Sequence, residues 1–267
     1  MAGEYYLSFN EKPETPRGFA ALVDWARKVL SPATMVEGDD LSHYQAGKIL
    51  SWAAKQVENK FSILKLGEGG LMDGALLGFV QGAVQVGTQV MGYFFRSNVS
   101  GTQQADDAIA MAEQVTPILG YKPVIWADVE TVDGADNVTR ITRLSAFMNA
   151  VHAWNPGKVG IYSSAGFANQ YLTPVPGWVN NYHHWVAHWT GGSTPIRPAG
   201  WSVNRLKVWQ YGVWDNYGWS KPVPGAVPDV DVNRFMGTAE ELQAFTGAVG
   251  LTLEERVARL EVAVFGA

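Results

Sequence analysis

The stretch Tyr121-Lys122-Pro123-Val124-Ile125-Trp126-Ala127-Asp128-Val129-Glu130 ends an apolar run in two acids one residue apart. Positions i and i+2 of a strand face the same way, so Asp128 and Glu130 project together with Cα atoms roughly 6.5–7 Å apart. Two carboxylates about 7 Å apart repel by about 2.4 kcal/mol at an effective dielectric of about 20, equivalent to about 1.7 pKa units. Desolvation by aromatic walls adds to that. One carboxyl group then keeps its proton near neutral pH while its neighbours stay ionised. Glycosidic bond cleavage needs that pairing: an acid for the leaving oxygen and negative charge beside a cation-like transition state.

Further acids occupy equivalent places. Asp40 closes the run Met35–Leu41, Glu68 follows Phe61–Leu66, and Asp231 lies near the end of the last segment of the fold, in Pro228–Phe235. Helix capping or metal binding would explain any one of them, but acids at three or four strand ends point to a shared mouth. His183, His184 and His188 raise a zinc amidase as an alternative, because i and i+4 on a helix can share a metal. Tyr182–Val186 alternates like a strand, however, and the pattern His-Glu-x-x-His is absent.

The elements that must position these residues follow from periodicity. Short apolar strands are expected at Met35–Leu41, Phe61–Leu66, Gln89–Phe95, Pro123–Asp128, Lys158–Tyr162, Trp185–His188 and Leu206–Tyr211. Helices are expected at Ala46–Val57, Ala75–Val86, Gln103–Leu119, Val138–Trp154 and Ala165–Tyr171. This alternation predicts a buried parallel sheet, open and doubly wound or closed into a barrel. Gly67-Glu68-Gly69-Gly70 lacks the spacing of a phosphate loop and sets a carboxylate where phosphate would sit, which favours the barrel. Beyond Tyr171 helical patterning fades until Thr238. The expected fold is therefore α/β, an irregular TIM-like β/α barrel over 35–247. It is flanked by a helical extension at 1–34, carrying the apolar pattern of Pro16–Leu30, and by an amphipathic helix at 251–267. In the latter, Leu253, Val257, Leu260 and Val264 recur at three- and four-residue steps, as in a helix docked on its own domain or a seam for self-association.

Composition narrows the function classes. The 267 residues are 47% apolar and 17% charged, a core-forming balance. A net charge of −5 without a Lys/Arg cluster argues against nucleic acid and against a polybasic membrane anchor. The absence of cysteine excludes disulfides, thiolate nucleophiles and Cys-ligated zinc. No run of about 18 apolar residues is present, and the opening Met1–Gly18 has no basic-then-apolar export signal, so neither membrane insertion nor signal-driven export is expected. Eleven Trp, ten Tyr and eleven Phe suit both a core and a sugar-lined cleft.

Taken in order, several segments resemble glycoside hydrolase family 25, the muramidases that include phage endolysins and Chalaropsis-type lysozymes. They are Gly38-Asp39-Asp40-Leu41-Ser42-His43-Tyr44-Gln45, Lys65-Leu66-Gly67-Glu68-Gly69, Gly92-Tyr93-Phe94-Phe95 and Trp126-Ala127-Asp128-Val129-Glu130, then Gly160-Ile161-Tyr162-Ser163, Trp185–Trp189, Trp209-Gln210-Tyr211 and Val230–Asn233. The resemblance spans about 36–236. It implies a barrel with fewer regular helices than strands and cleavage of the β-1,4 bond between N-acetylmuramic acid and N-acetylglucosamine in peptidoglycan, with no cofactor or metal. It implies Glu130 as general acid, Asp128 beside the substrate's N-acetyl group, and Asp40 and Asp231 completing the cluster. Glu68, Lys65, Tyr93, Tyr162, Trp189 and Gln210 become substrate-binding candidates. Phe94 stands where the family has His, and Asp39 and Asp229 compete with Asp40 and Asp231 for their roles. An endolysin released through a holin pore is the implied setting. The alternative from another class is a non-catalytic carbohydrate-binding or virion component on the same barrel.

Overall fold

A computed structural model describes residues 35–95, 98–190, 192–215, 222–248, 250 and 252–265. The expected helix at Pro16–Leu30 lies outside the described residues. The strands are β1 (Val36–Leu41), β2 (Phe61–Glu68), β3 (Leu71–Met72), β4 (Gln89–Phe95), β5 (Ile125–Asp128), β6 (Val159–Ser164), β7 (His183–Ala187), β8 (Leu206–Trp214) and β9 (Val230–Phe235). The helices are α1 (Trp52–Glu58), α2 (Leu76–Val86), α3 (Gly101–Leu119), α4 (Asn137–Trp154), α5 (Ala165–Tyr171), α6 (Ala239–Thr246) and α7 (Leu253–Phe265).

Eight strands close into a barrel in the order β1-β9-β8-β7-β6-β5-β4-β2, with β1 pairing β2 to complete the ring and β3 folded back on β2. All neighbours are parallel except β9, which runs antiparallel to both β8 and β1. The antiparallel β9 departs from the parallel sheet expected from the strand–helix alternation and falls in the part of the barrel expected to be irregular. Among the described residues no helix lies between β8 and β9, and β9 returns antiparallel without the crossover that a parallel pairing needs.

Helix starts follow capping chemistry: Ser51, Ser100, Asp136, Ser164 and Thr238 each accept a backbone N–H of the first turn. The start expected at Ala46 is displaced to Trp52. The intervening backbone is taken by the rest of the fold, since the N–H groups of Leu50 and Ser51 both donate to Gly225 O. From β6 to β9, short 3-10 turns at Gly177–Asn181 and Val203–Arg205 replace most regular helices, as the fading pattern implied.

Inward-facing positions change character along each strand. Ile63 precedes Lys65, Met91 precedes Tyr93, Trp126 precedes Asp128 and Val208 precedes Gln210. The lower half is an apolar cluster that includes Phe61, Trp126, Trp185 and Phe235, closed from below by Leu242 and Phe245 of α6. The outward faces pack on α2, α3 and α4 in a second cluster. α7 lies against this layer: Arg256 donates to Gln85 O and Arg259 to Leu119 O, so two cations meet the C-terminal ends of α2 and α3.

Candidate active site

The polar halves of the strands meet in a cavity of about 400 Å³ at the C-terminal mouth of the parallel strands. Asp40, Lys65, Glu68, Tyr93, Asp128, Glu130, Tyr162, Trp189, Gln210 and Asp231 all line it. A second recess of about 360 Å³ shares Glu130, Tyr162, Trp189 and Gln210 and adds His188 and the Ser164–Gly166 turn. Glu130 thus stands where two hollows meet.

The i, i+2 geometry of the central pair holds. Ile125, Ala127 and Val129 belong to the outer cluster and Trp126 to the inner one, which leaves Asp128 and Glu130 on the inner side. Beyond β5 the backbone is pinned, because Val129 N donates to Tyr162 O at 3.0 Å and the Ser163 hydroxyl donates to Val129 O at 2.7 Å. The following loop is stapled by buried Arg140, which donates to Asp133 at 2.8 Å and to Ala135 O at 2.7 Å.

Both competing acids drop out. Asp39 points away from the cavity and is fully buried with Lys55, which donates to it at 2.6 Å and to Ser62 at 2.8 Å. Asp40 points inward and accepts from Gln210 at 2.9 Å and Asn233 at 2.7 Å. Asp229 sits in the turn before β9 with a positive φ of 81°, largely exposed and paired with Lys48. Asp231 enters the cavity from the beginning of β9, not from a strand end as expected. It reaches the common mouth because β9 runs backwards, directly opposite Asp40 in the ladder. Phe94 faces outward and stacks on Phe147 at 6.2 Å, so the His-to-Phe departure does not touch the cavity.

Gln210 lines both hollows and is itself held by protein. Its side chain is 4% exposed, and both ends of the amide are engaged by protein. Its carbonyl accepts from the Tyr162 hydroxyl at 3.0 Å and from Trp189 Nε1 at 3.1 Å, while its NH2 donates to Asp40. Lys65 is paired with Glu68 and lies over the Phe95 ring. Two contributors escaped the sequence reading. Asn233 holds Asp40 and is itself held by Trp185 Nε1 at 2.8 Å; its place two residues after Asp231 was a usable signal. Tyr44, 69% exposed, stands on the rim on a turn fixed by the Ser42–Gln45 capping box.

Burial dominates the electrostatics. It lifts Asp40 from 3.8 to about 7, assisted by the charges of Asp39 and Glu130 and opposed by the Gln210 and Asn233 amides. Asp231 is raised well above its ordinary value by burial and then by Asp40, Asp229 and Glu130. Glu130 is raised as well, and desolvation rather than repulsion by a neighbouring acid leads; Lys65 opposes it, as would Tyr162 if its hydroxyl donated to the carboxyl. The histidines do not converge. His183 contacts Gly157 O and the Phe245 ring, buried His184 contacts Val179 O and Trp201, and His188 accepts from Ile196 N. Burial pushes His183 and His184 down to about 4.

The sequence profile of Glycosyl hydrolases family 25 matches residues 39–216. The structure is similar to a bacterial lysozyme from Streptomyces coelicolor, with 27% identity over 79% of this chain and 96% of that one and a TM-score of 0.66. It also resembles a family 25 lysozyme from Aspergillus fumigatus, with 19% identity, coverage of 80% and 99%, and a TM-score of 0.64. Among curated sequences, the uncharacterized Escherichia coli protein YegX is 35% identical over 107 residues, and the match spans 40% of this chain and 34% of that protein. With the profile matched from the first barrel strand to beyond β8, and with the acidic mouth in place, the chain belongs to glycosyl hydrolase family 25.

Proposed function

We propose that this protein is an N-acetylmuramidase that hydrolyses the β-1,4 bond between N-acetylmuramic acid and N-acetylglucosamine in bacterial peptidoglycan. The observation that carries this reading is the convergence of Asp40, Asp128, Glu130 and Asp231 on one sugar-sized cavity. In this reading Glu130 donates its proton to the glycosidic oxygen. Its position between two hollows suits a bond with a sugar on either side. Asp128, on the same inner face, supplies negative charge to the cation that develops, whether this rests on the sugar ring or on the acetamido group acting as an internal nucleophile. The Glu130 carboxylate then takes the proton of the attacking water. Asp40 and Asp231 form the acidic wall behind them, and Trp189 and Tyr44 offer flat faces at the rim.

Mass spectrometry of digested peptidoglycan tests the assignment. Products ending in reducing muramic acid are expected, and products ending in reducing glucosamine would refute the bond assigned. Glu130→Gln should lower turnover by 10²-fold or more, the scale of general-acid catalysis.

A further inference from the structure

We propose that Gln210 is a positioning residue that keeps the acid proton on Glu130, by consuming the only proton of Tyr162 and leaving that hydroxyl able to accept but not to donate. The inference rests on the reading of Glu130 as the acid. It begins with an unambiguous amide. An indole N–H can only donate, so the Gln210 atom 3.1 Å from Trp189 Nε1 is the carbonyl oxygen. The opposite end is then the NH2 that donates to Asp40 at 2.9 Å. A flipped amide would set N–H against N–H on one side and carbonyl against carboxyl on the other.

The Tyr162 hydroxyl lies 3.0 Å from that same carbonyl oxygen. A carbonyl has no proton to offer, so the phenol donates, and it has one proton. Burial pushes the phenol well above its ordinary value, so the proton stays in place. Tyr162 and Glu130 line both hollows together, and the Tyr162 hydroxyl bears on the Glu130 carboxyl. Toward Glu130 it therefore presents lone pairs, and the two can share a hydrogen bond only while Glu130 is protonated. An ionised Glu130 would face an acceptor with an acceptor. The surrounding charges act in both directions: Lys65, paired with Glu68, favours the carboxylate, while Asp40, Asp128 and Asp231 disfavour it, and His188 lines the adjoining recess. Gln210 tips this balance through direction rather than charge.

The test is the pH profile of kcat/KM on solubilised peptidoglycan, whose alkaline limb reports the acid in the free enzyme. Gln210→Met removes the acceptor at similar volume and frees the Tyr162 proton for the Glu130 carboxylate. The limb should fall by about one pH unit, the size of one net hydrogen bond. Gln210→Glu keeps an acceptor for Tyr162, and its limb should not fall. Tyr162→Phe gives the sharpest sign. The limb falls if the protonated acid has lost its acceptor, and rises if the carboxylate has lost a donor; a rise overturns the proposal. A uniform loss of activity in Gln210→Met with the limb unmoved assigns Gln210 a merely structural role and also overturns it. If Gln210→Met does not fold, the Tyr162→Phe sign decides alone. An active Glu130→Gln would instead undo the acid assignment itself.

Discussion

Asp40 shows what burial does to a single carboxyl group. It is 8% exposed, its Oδ2 accepts two side-chain amides, and its proton is retained to about 7 against an ordinary 3.8. The folded protein therefore holds a proton that the unfolded chain releases between those values. Stability contributed by this group is fully present below about 3.8 and is lost as pH rises through about 7. Asp40→Asn keeps an oxygen for both amides and removes the charge. Its melting temperature should match the parent near pH 4 and exceed it increasingly up to pH 8, while hydrolysis falls. A melting-temperature difference independent of pH would contradict the assignment. The i, i+2 rule was enough to put Asp128 and Glu130 on one face. It was silent on Asp39 against Asp40, because adjacent acids in a strand differ only in which face turns inward, and the barrel's closure sets that.

At the scale of elements, the ladder tolerates almost nothing where large rings fill the barrel. A Cβ on Gly160 of β6 would lie 2.2 Å from the Trp126 ring and 2.9 Å from His183 O. Trp126 cannot yield, being wedged against Trp185 and Phe245 at ring separations of 5.9 and 6.1 Å. Gly160→Ala should therefore destabilise by about 1–3 kcal/mol or more in urea unfolding. Gly78, within α2 and with open space around its Cβ position, supplies the contrast: Gly78→Ala should leave stability unchanged or raise it by about 0.5–1 kcal/mol. Equal effects at the two sites would refute the steric account. Most elements were legible because β2 and β4 are short, nearly continuous apolar runs and the long helices carry a period of 3.6. The start of α1 was not, because Gly225, far away in sequence, captures the N–H groups that an earlier turn would have used.

The whole molecule separates support from chemistry along the barrel axis. α6 closes the end opposite the acidic mouth, with Phe245 against Trp126, Phe235 and His183, and Lys158 donating to the carbonyls at the end of the helix. Phe245→Ala should cost about 3–5 kcal/mol of stability. Turnover per folded molecule should stay near that of the parent, because the ring partners Trp126, His183 and Phe235 lie outside the cavity lining. Loss of turnover without loss of stability would show that the two ends are coupled.

Local chemistry determined much of this in advance. Apolar strand starts with polar ends, a serine before each of several helices, and Asp-x-Glu after a buried run are properties of neighbouring residues, and neighbouring residues are what periodicity reads. Tertiary structure alone decided that β9 runs backwards, that Asp231 thereby meets Asp40, and that Gln210 is held between Tyr162, Trp189 and Asp40. Those outcomes depend on groups 170 positions apart or more in the chain, brought into register only when the ring of strands closes.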